Sequence, residues 1–255
     1  MAKPKIIAIT NQKGGVGKTT TAINIAYYLS KNGCKTLLVD LDPQGNATSG
    51  LGVDKAKIGA STTELIKNEA RLADVAVESA YKHLSLVPTT SHLANAEVEL
   101  ATSDKKFVRL REALKDAQDF DYIIIDSPPS LSLLTVNALI AADFVLLPVQ
   151  AEFYALEGLG QLLETMKLVR KGMNSELELV GVLVTMLDKR TTLSQQVYQE
   201  IQKHFPDKVF KTTIPRNVRL AEAPSHGLPI GAYERWSKGA RAYKAVTKEI
   251  IERTN

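Results

Sequence analysis

The chain has 255 residues, of which 44% are hydrophobic, 24% charged and 6% aromatic, and a soluble chain of this size buries roughly three quarters of its unfolded surface, enough for a large core without staples. Cys34 is the only cysteine, which excludes a disulfide scaffold and a cluster held by several cysteines of one chain. No run approaches the roughly 18 apolar residues of a membrane span, and no signal-peptide core precedes the first strand, so a cytoplasmic protein is expected.

The net charge of +4 is unevenly placed. Residues 189–255 hold thirteen Lys and Arg against six Asp and Glu, a local charge of +7, while residues 1–188 carry −3. Such a basic end fits either a polyanion partner or an ordinary solvated surface.

From the N-terminus, the first expected strand is Ile6–Ile9, too close to Met1 to leave room for a separate N-terminal DNA-reading domain. It leads into Lys13-Gly14-Gly15-Val16-Gly17-Lys18-Thr19-Thr20, and Ala22–Ala26 then reads as helix. A strand, a glycine-rich turn, Gly-Lys-Thr and a helix in succession meet the requirements of a phosphate-binding loop. The glycines let backbone N–H groups turn toward phosphate, and the helix N-terminus adds free donors and a positive dipole end. Lys18 would reach the β- and γ-phosphates, and the Thr19 hydroxyl would ligate Mg²⁺.

The second strand, Thr36–Val39, ends in Asp40-Leu41-Asp42-Pro43-Gln44-Gly45-Asn46. Open α/β sheets bind ligands at such strand ends. Asp42 could orient the water that attacks the γ-phosphate, or simply form a turn or cap. Residues 51–120 are less regular, with a strand at Leu84–Val87 and a helix around Phe107–Ala117. Tyr122–Ile125 is a further strand, and Asp126 at its end supplies the carboxylate that holds Mg²⁺, usually through water. Pro128-Pro129 then stops the strand.

Phe144–Leu147 and Val180–Val184 complete a set of β-branched runs that do not alternate with polar residues, as expected of strands buried on both faces. Between and after them lie helical faces: Leu159, Leu162, Met166 and Val169; then Leu193, Val197 and Ile201. In the last helix Tyr243, Val246 and Ile250 share one face, and Arg241, Lys244 and Lys248 the nearly opposite one. That apolar face is narrow and lacks Trp, Phe and Leu, which makes it a poor membrane anchor. The alternation of strand and helix predicts one α/β domain over residues 1–255, doubly wound, with a mainly parallel sheet and helices on both faces.

With these residues in place, the chain resembles the ParA/MinD branch of P-loop ATPases, and within it the small Soj-like ParA partitioning proteins, over nearly its whole length. The loop matches the deviant Walker A motif, marked by the extra Lys13. Asp40–Asn46, Asp126–Ser130, Thr185–Asp188, Ile214–Asn217 and Glu222–Gly227 match further segments of that family.

The resemblance implies an ATPase with ATP and Mg²⁺ as cofactors, working as an ATP-bound homodimer. Lys13 would cross to the partner's ATP and act as arginine fingers do, Gly14 would stay small where two loops meet, and Asp42 would position the water. Pro215 and Asn217 would hold adenine. Arg190 and Arg219 match positions implicated in DNA binding, and Lys211 is a further candidate. Non-specific double-stranded DNA and a ParB-like centromere-binding protein that stimulates hydrolysis are the implied partners, and nucleoid association the implied location. No stable membrane association is expected.

Two other readings compete: a MinD-like membrane-associated ATPase regulating division-site placement, and a metabolic enzyme built on the same loop. The single cysteine excludes a nitrogenase-type reductase, and nothing in the sequence singles out a ligase pocket. Cys34 reads as structural, the four histidines as non-catalytic, and Trp236 as core or interface packing.

Overall fold

The structure, a computed structural model, describes residues 3–152 and 157–255, with the side chains of 157 and 158 also outside the description. The strands are β1 (Lys5–Ile9), β2 (Thr36–Asp40), β3 (Val77–Glu78), β4 (Leu84–Val87), β5 (Tyr122–Asp126), β6 (Phe144–Gln150) and β7 (Glu178–Thr185). They form one sheet in the order β3-β4-β2-β5-β1-β6-β7. All neighbours run parallel except the edge pair β3–β4. The two-residue β3 has both residues exposed, so no apolar run marks it in the sequence.

Helices α1 (Lys18–Lys31), α2 (Asn46–Gly50), α3 (Thr62–Lys67), α4 (Leu72–Val75), α5 (His92–Leu100), α6 (Arg109–Ala113), α7 (Leu133–Ala141), α8 (Glu157–Gly172), α9 (Thr192–His204), α10 (Val218–Glu222), α11 (Ile230–Tyr233) and α12 (Lys238–Thr254) cover the sheet. Successive strand residues point to opposite faces, and the core divides accordingly. Ile6, Ala8, Ile123 and Ile125 join one apolar cluster with Leu65, Leu93, Leu134, Leu159, Leu162 and Ile201. Ile7, Ile9, Ile124 and Leu38 join another with Ile23, Ile25 and Leu29 of α1 and Tyr243, Val246 and Ile250 of α12. Both faces of the central strands are therefore dry, which is why their sequences do not alternate.

The last helix has the expected division, with Tyr243, Val246 and Ile250 buried and Arg241, Lys244 and Lys248 exposed. Three sequence expectations need correction. The helix expected around 107–117 is regular only over Arg109–Ala113. Leu193 does not join Ile201 in the core: it is 51% exposed at the first turn of α9. Trp236 is not core packing either, being 71% exposed.

Candidate nucleotide site and nucleic-acid surface

The C-terminal ends of β1, β2 and β5 meet at one point of the sheet. Asp126 pairs in register with Ile9 on one side and with Asp40 on the other, so the glycine loop after β1 faces carboxylates from two neighbouring strands. Gly15 and Gly17 take φ of 75° and 89°, a region costly to residues with a Cβ. Gly17 precedes α1 with no side-chain cap. The first N–H groups of α1 thus lack a side-chain acceptor, the condition under which a helix start binds anions.

Neighbouring elements brace the loop. Asn11 donates from Nδ2 to Pro148 O at 2.8 Å and accepts from Lys13 N at 3.0 Å. Thr185, at the end of β7, donates to Val16 O at 2.8 Å. Sequence reasoning missed Asn11 as a brace; its signal was a polar residue two positions after an apolar strand.

Lys18 is buried, and its ammonium donates to Lys13 O at 3.0 Å. Burial lowers its pKa, and the nearby carboxylates of Asp126 and Asp42 partly restore it. The facing carboxylates differ in environment. Asp40 accepts from the Thr48 amide at 2.7 Å and the Thr48 hydroxyl at 2.6 Å, so it anchors α2 to the sheet. Asp126 is fully buried, and among the described residues neither of its oxygens has a partner within hydrogen-bond geometry. Burial and the neighbouring Asp40 push its pKa well above the usual carboxylate range, although the Thr19 hydroxyl and Lys18 pull the other way.

An unpartnered buried carboxylate beside a threonine hydroxyl is a hard-oxygen donor pair suited to Mg²⁺ that takes its other ligands from phosphate and water. Among the described residues no group of three or more His, Cys, Asp and Glu could hold a metal without such help.

Asp42 uses one oxygen, Oδ1, to accept from Gln44 N at 3.0 Å; Oδ2 makes no hydrogen bond among the described residues. The turn reading and the water-orienting reading are therefore compatible. The Lys13 ammonium pairs with Glu152 at 2.8 Å, while Gln150 holds the other Glu152 oxygen at 2.5 Å. Gly14 is exposed, and among the described residues a Cβ there would meet nothing within 4 Å.

Beside the loop lies a cavity of about 370 Å³, lined by Gly17, Thr20, Met186, Pro215, Asn217 and Tyr243 among others. It is continuous with the phosphate loop and sized for a small ligand. Met186 sits at φ 51°, a strained backbone of the kind found at ligand clamps. Asn217 accepts from Arg219 N through Oδ1 at 2.9 Å, leaving its Nδ2 as a donor. A larger cavity of about 550 Å³ lies at the other end of the sheet, lined by Lys3, Arg111 and Asp143, and has no relation to the loop.

The candidate DNA contacts are less free than the sequence suggests. Arg190 makes a two-pronged pair with Asp188 at 2.9 and 2.7 Å, holding the Asp188 carboxyl well below its usual range. Arg219 pairs with Glu222 at 2.8 Å. Lys211 is exposed, and its backbone N–H donates to Glu249.

Comparison with known proteins places this arrangement. A family model described as an AAA domain matches residues 4–179. The sporulation initiation inhibitor protein Soj of Bacillus subtilis is 54% identical over 96% of this chain and 98% of its own length. The chromosome-partitioning ATPase Soj of Thermus thermophilus is 52% identical over 99% and 97% of the two chains. Among solved structures, cobyrinic acid a,c-diamide synthase from Mycobacterium smegmatis, with bound ATP analogue and magnesium, superposes with a TM-score of 0.86 at 36% identity, covering 98% of this chain and 95% of that one. The sheet order, the loop with its extra lysine and these full-length likenesses agree: the chain belongs to the ParA/MinD family of P-loop proteins, in its Soj-like branch.

Proposed function

We propose that the protein is a chromosome-partitioning ATPase, one P-loop domain over residues 1–255. It binds ATP and Mg²⁺, pairs as an ATP-bound homodimer, and holds duplex DNA without sequence preference. It lets go after hydrolysis stimulated by a ParB-like partner. Two full-length relatives carry the name Soj, one of them as a chromosome-partitioning ATPase, and the diamide synthase of like fold binds an ATP analogue with magnesium. On this reading the protein is cytoplasmic and nucleoid-associated.

The observation that carries the nucleotide half is the buried, unpartnered Asp126 against Lys18 and Thr19. Backbone N–H groups of Gly14 to Thr20 would cradle the phosphates, Lys18 would neutralise the β- and γ-oxygens, and Pro215 and Asn217 would hold the base. Thr19 and Asp126 would hold the Mg²⁺, which when bound draws charge from the transferring phosphoryl group. The Oδ2 of Asp42, unengaged among the described residues, would accept a hydrogen bond from the attacking water and fix its line of approach.

Gly14 and Lys13 support the dimer. Among the described residues nothing crowds Gly14, which leaves room for a second loop to approach it. Lys13 must leave Glu152 to serve a partner's ATP. The MinD-like reading loses ground because Tyr243, Val246 and Ile250, the apolar stripe a membrane would need, are spent in the core. Size exclusion of an Asp42→Ala chain tests the pairing: ATP should produce a dimer that ADP does not, and a monomer under both conditions would contradict it.

A further inference from the structure

The chain's one tryptophan, Trp236, stands 71% exposed in the turn between α11 and α12, although burial is where a tryptophan contributes most to a fold. The Arg235 guanidinium lies 4.8 Å from its ring centroid. The cations around it outnumber the acids, of which Glu234 lies beside it and Glu252 near the far end of α12. Arg235, Lys238, Arg241, Lys244 and Lys248 are all exposed, and among the described residues none makes an ion pair, in contrast to Arg190 and Arg219. Lys238 to Lys248 form a stripe along α12 opposite its buried face. Its length is about 15 Å, the rise along the DNA axis over which one strand presents roughly four phosphates.

This stripe is tied to the nucleotide site. Tyr243, on the same helix, lines the base cavity and shares a hydrogen bond with Thr21 of α1 at 3.1 Å. At its start α12 abuts α10, where a Cβ on Gly239 would meet the Leu220 side chain at 2.7 Å. The start of α12, next to the turn bearing Trp236, is therefore packed on the helix that bears Arg219.

We propose that Trp236 is an aromatic contact on duplex DNA, lying against the sugar and base wall of a groove while Arg235 and the α12 cations take the flanking phosphates. The inference rests on the DNA-binding reading above and names where that contact is made. An anionic membrane fits less well: one tryptophan without flanking Leu or Phe buries too little apolar surface to insert. A groove contact of this kind is tolerant of sequence, because it reads no hydrogen-bond pattern.

The two parts of the surface differ in their response to salt. Trp236→Ala should weaken DNA binding about 5- to 150-fold, the range of about 1–3 kcal/mol for one aromatic contact, and leave the slope of log affinity against log salt unchanged. Lys238→Ala with Arg241→Ala should flatten that slope by roughly 0.9 for each phosphate no longer neutralised. Trp236→Phe should recover most of the affinity, and ATP affinity should be the same in all three variants.

The test uses the full chain carrying Asp42→Ala with ATP. A gel shift on a random-sequence duplex measures binding, and the emission of the sole tryptophan reports the contact. Emission that shifts on DNA addition only with ATP, together with the salt pattern above, supports the proposal. Normal gel shifts with unchanged emission and an unaffected Trp236→Ala variant would overturn it while leaving DNA binding intact. Absence of any gel shift would overturn both. An emission shift with phosphatidylserine vesicles and none with DNA would assign the patch to membranes instead.

Discussion

Asp126→Asn should make the nucleotide-free protein more stable while removing its response to Mg²⁺. Both Asp126 oxygens are buried without partners, and the carboxylate lies directly across the β2–β5 ladder from Asp40. An unsatisfied buried polar group costs about 1–3 kcal/mol, and more if charged. Asparagine keeps the shape, removes the charge, and offers Asp40 a donor. A gain of about 1–3 kcal/mol converts to a rise in Tm of roughly 2–12 °C at this chain length, at about 2–4 °C per kcal/mol.

The pH dependence has a definite sign. Burial raises the folded pKa of both carboxyls, that of Asp40 to about 6. Between the unfolded pKa and the folded one the native state holds more protons, so stability falls as pH rises through that window and levels off above it. Asp126→Asn should shallow that fall. Differential scanning fluorimetry with ATP, in Mg²⁺ and in EDTA, reads all of this: the parent should be stabilised further by Mg²⁺ and the variant should not. A variant several degrees less stable than the parent would show that Asp126 is not strained, and one that keeps the Mg²⁺ increment would show that it is not a metal ligand.

Lys18→Ala should lower ATP affinity at least tenfold by calorimetry, because it removes the buried cation of the loop; affinity within a factor of three of the parent would contradict the assignment. Asp42→Ala should retain ATP binding and dimerise, but lose about 10²-fold or more in phosphate release, since misplacing a reacting group costs that much. Lys13→Ala should lose dimerisation and hydrolysis together while the monomer still binds ATP. Glu152→Gln should do the reverse: freeing Lys13 from a half-exposed ion pair worth at most about 1 kcal/mol should raise dimerisation by up to about fivefold per protomer in sedimentation velocity. Asp188→Asn should release Arg190 and tighten DNA binding, whereas Arg190→Ala should flatten the salt slope by nearly two per dimer; filter binding across a salt series measures both.

The buried strands and the phosphate loop were legible because their physics is local. A parallel strand covered on both faces must be apolar throughout, and a loop that wraps phosphate must be rich in glycine at fixed positions. Asp126 was legible from its place after Ile123-Ile124-Ile125. The braces Asn11 and Thr185 were not, because each acts on an element far from it in sequence: Asn11 on β6, and Thr185 on the loop before α1. Charge compensation was hidden for a different reason. The sequence displays Arg190 and Arg219 as free cations, but Asp188 and Glu222 lie two and three residues away and fold back on them. The core half of the expectation for Trp236 failed because hydrophobicity predicts burial only on average, and the exposed exception carries the information.

If ATP switches DNA binding on by joining two chains, nucleotide state and pairing must control DNA retention together. Filter binding of the Asp42→Ala chain to two unrelated duplexes, with ATP, with ADP and without nucleotide, measures this, with Lys13→Ala as the chain unable to pair. Both duplexes should be retained equally with ATP, little with ADP or alone, and not at all by Lys13→Ala under any condition. Retention without nucleotide, or undiminished binding by Lys13→Ala, would contradict the switch.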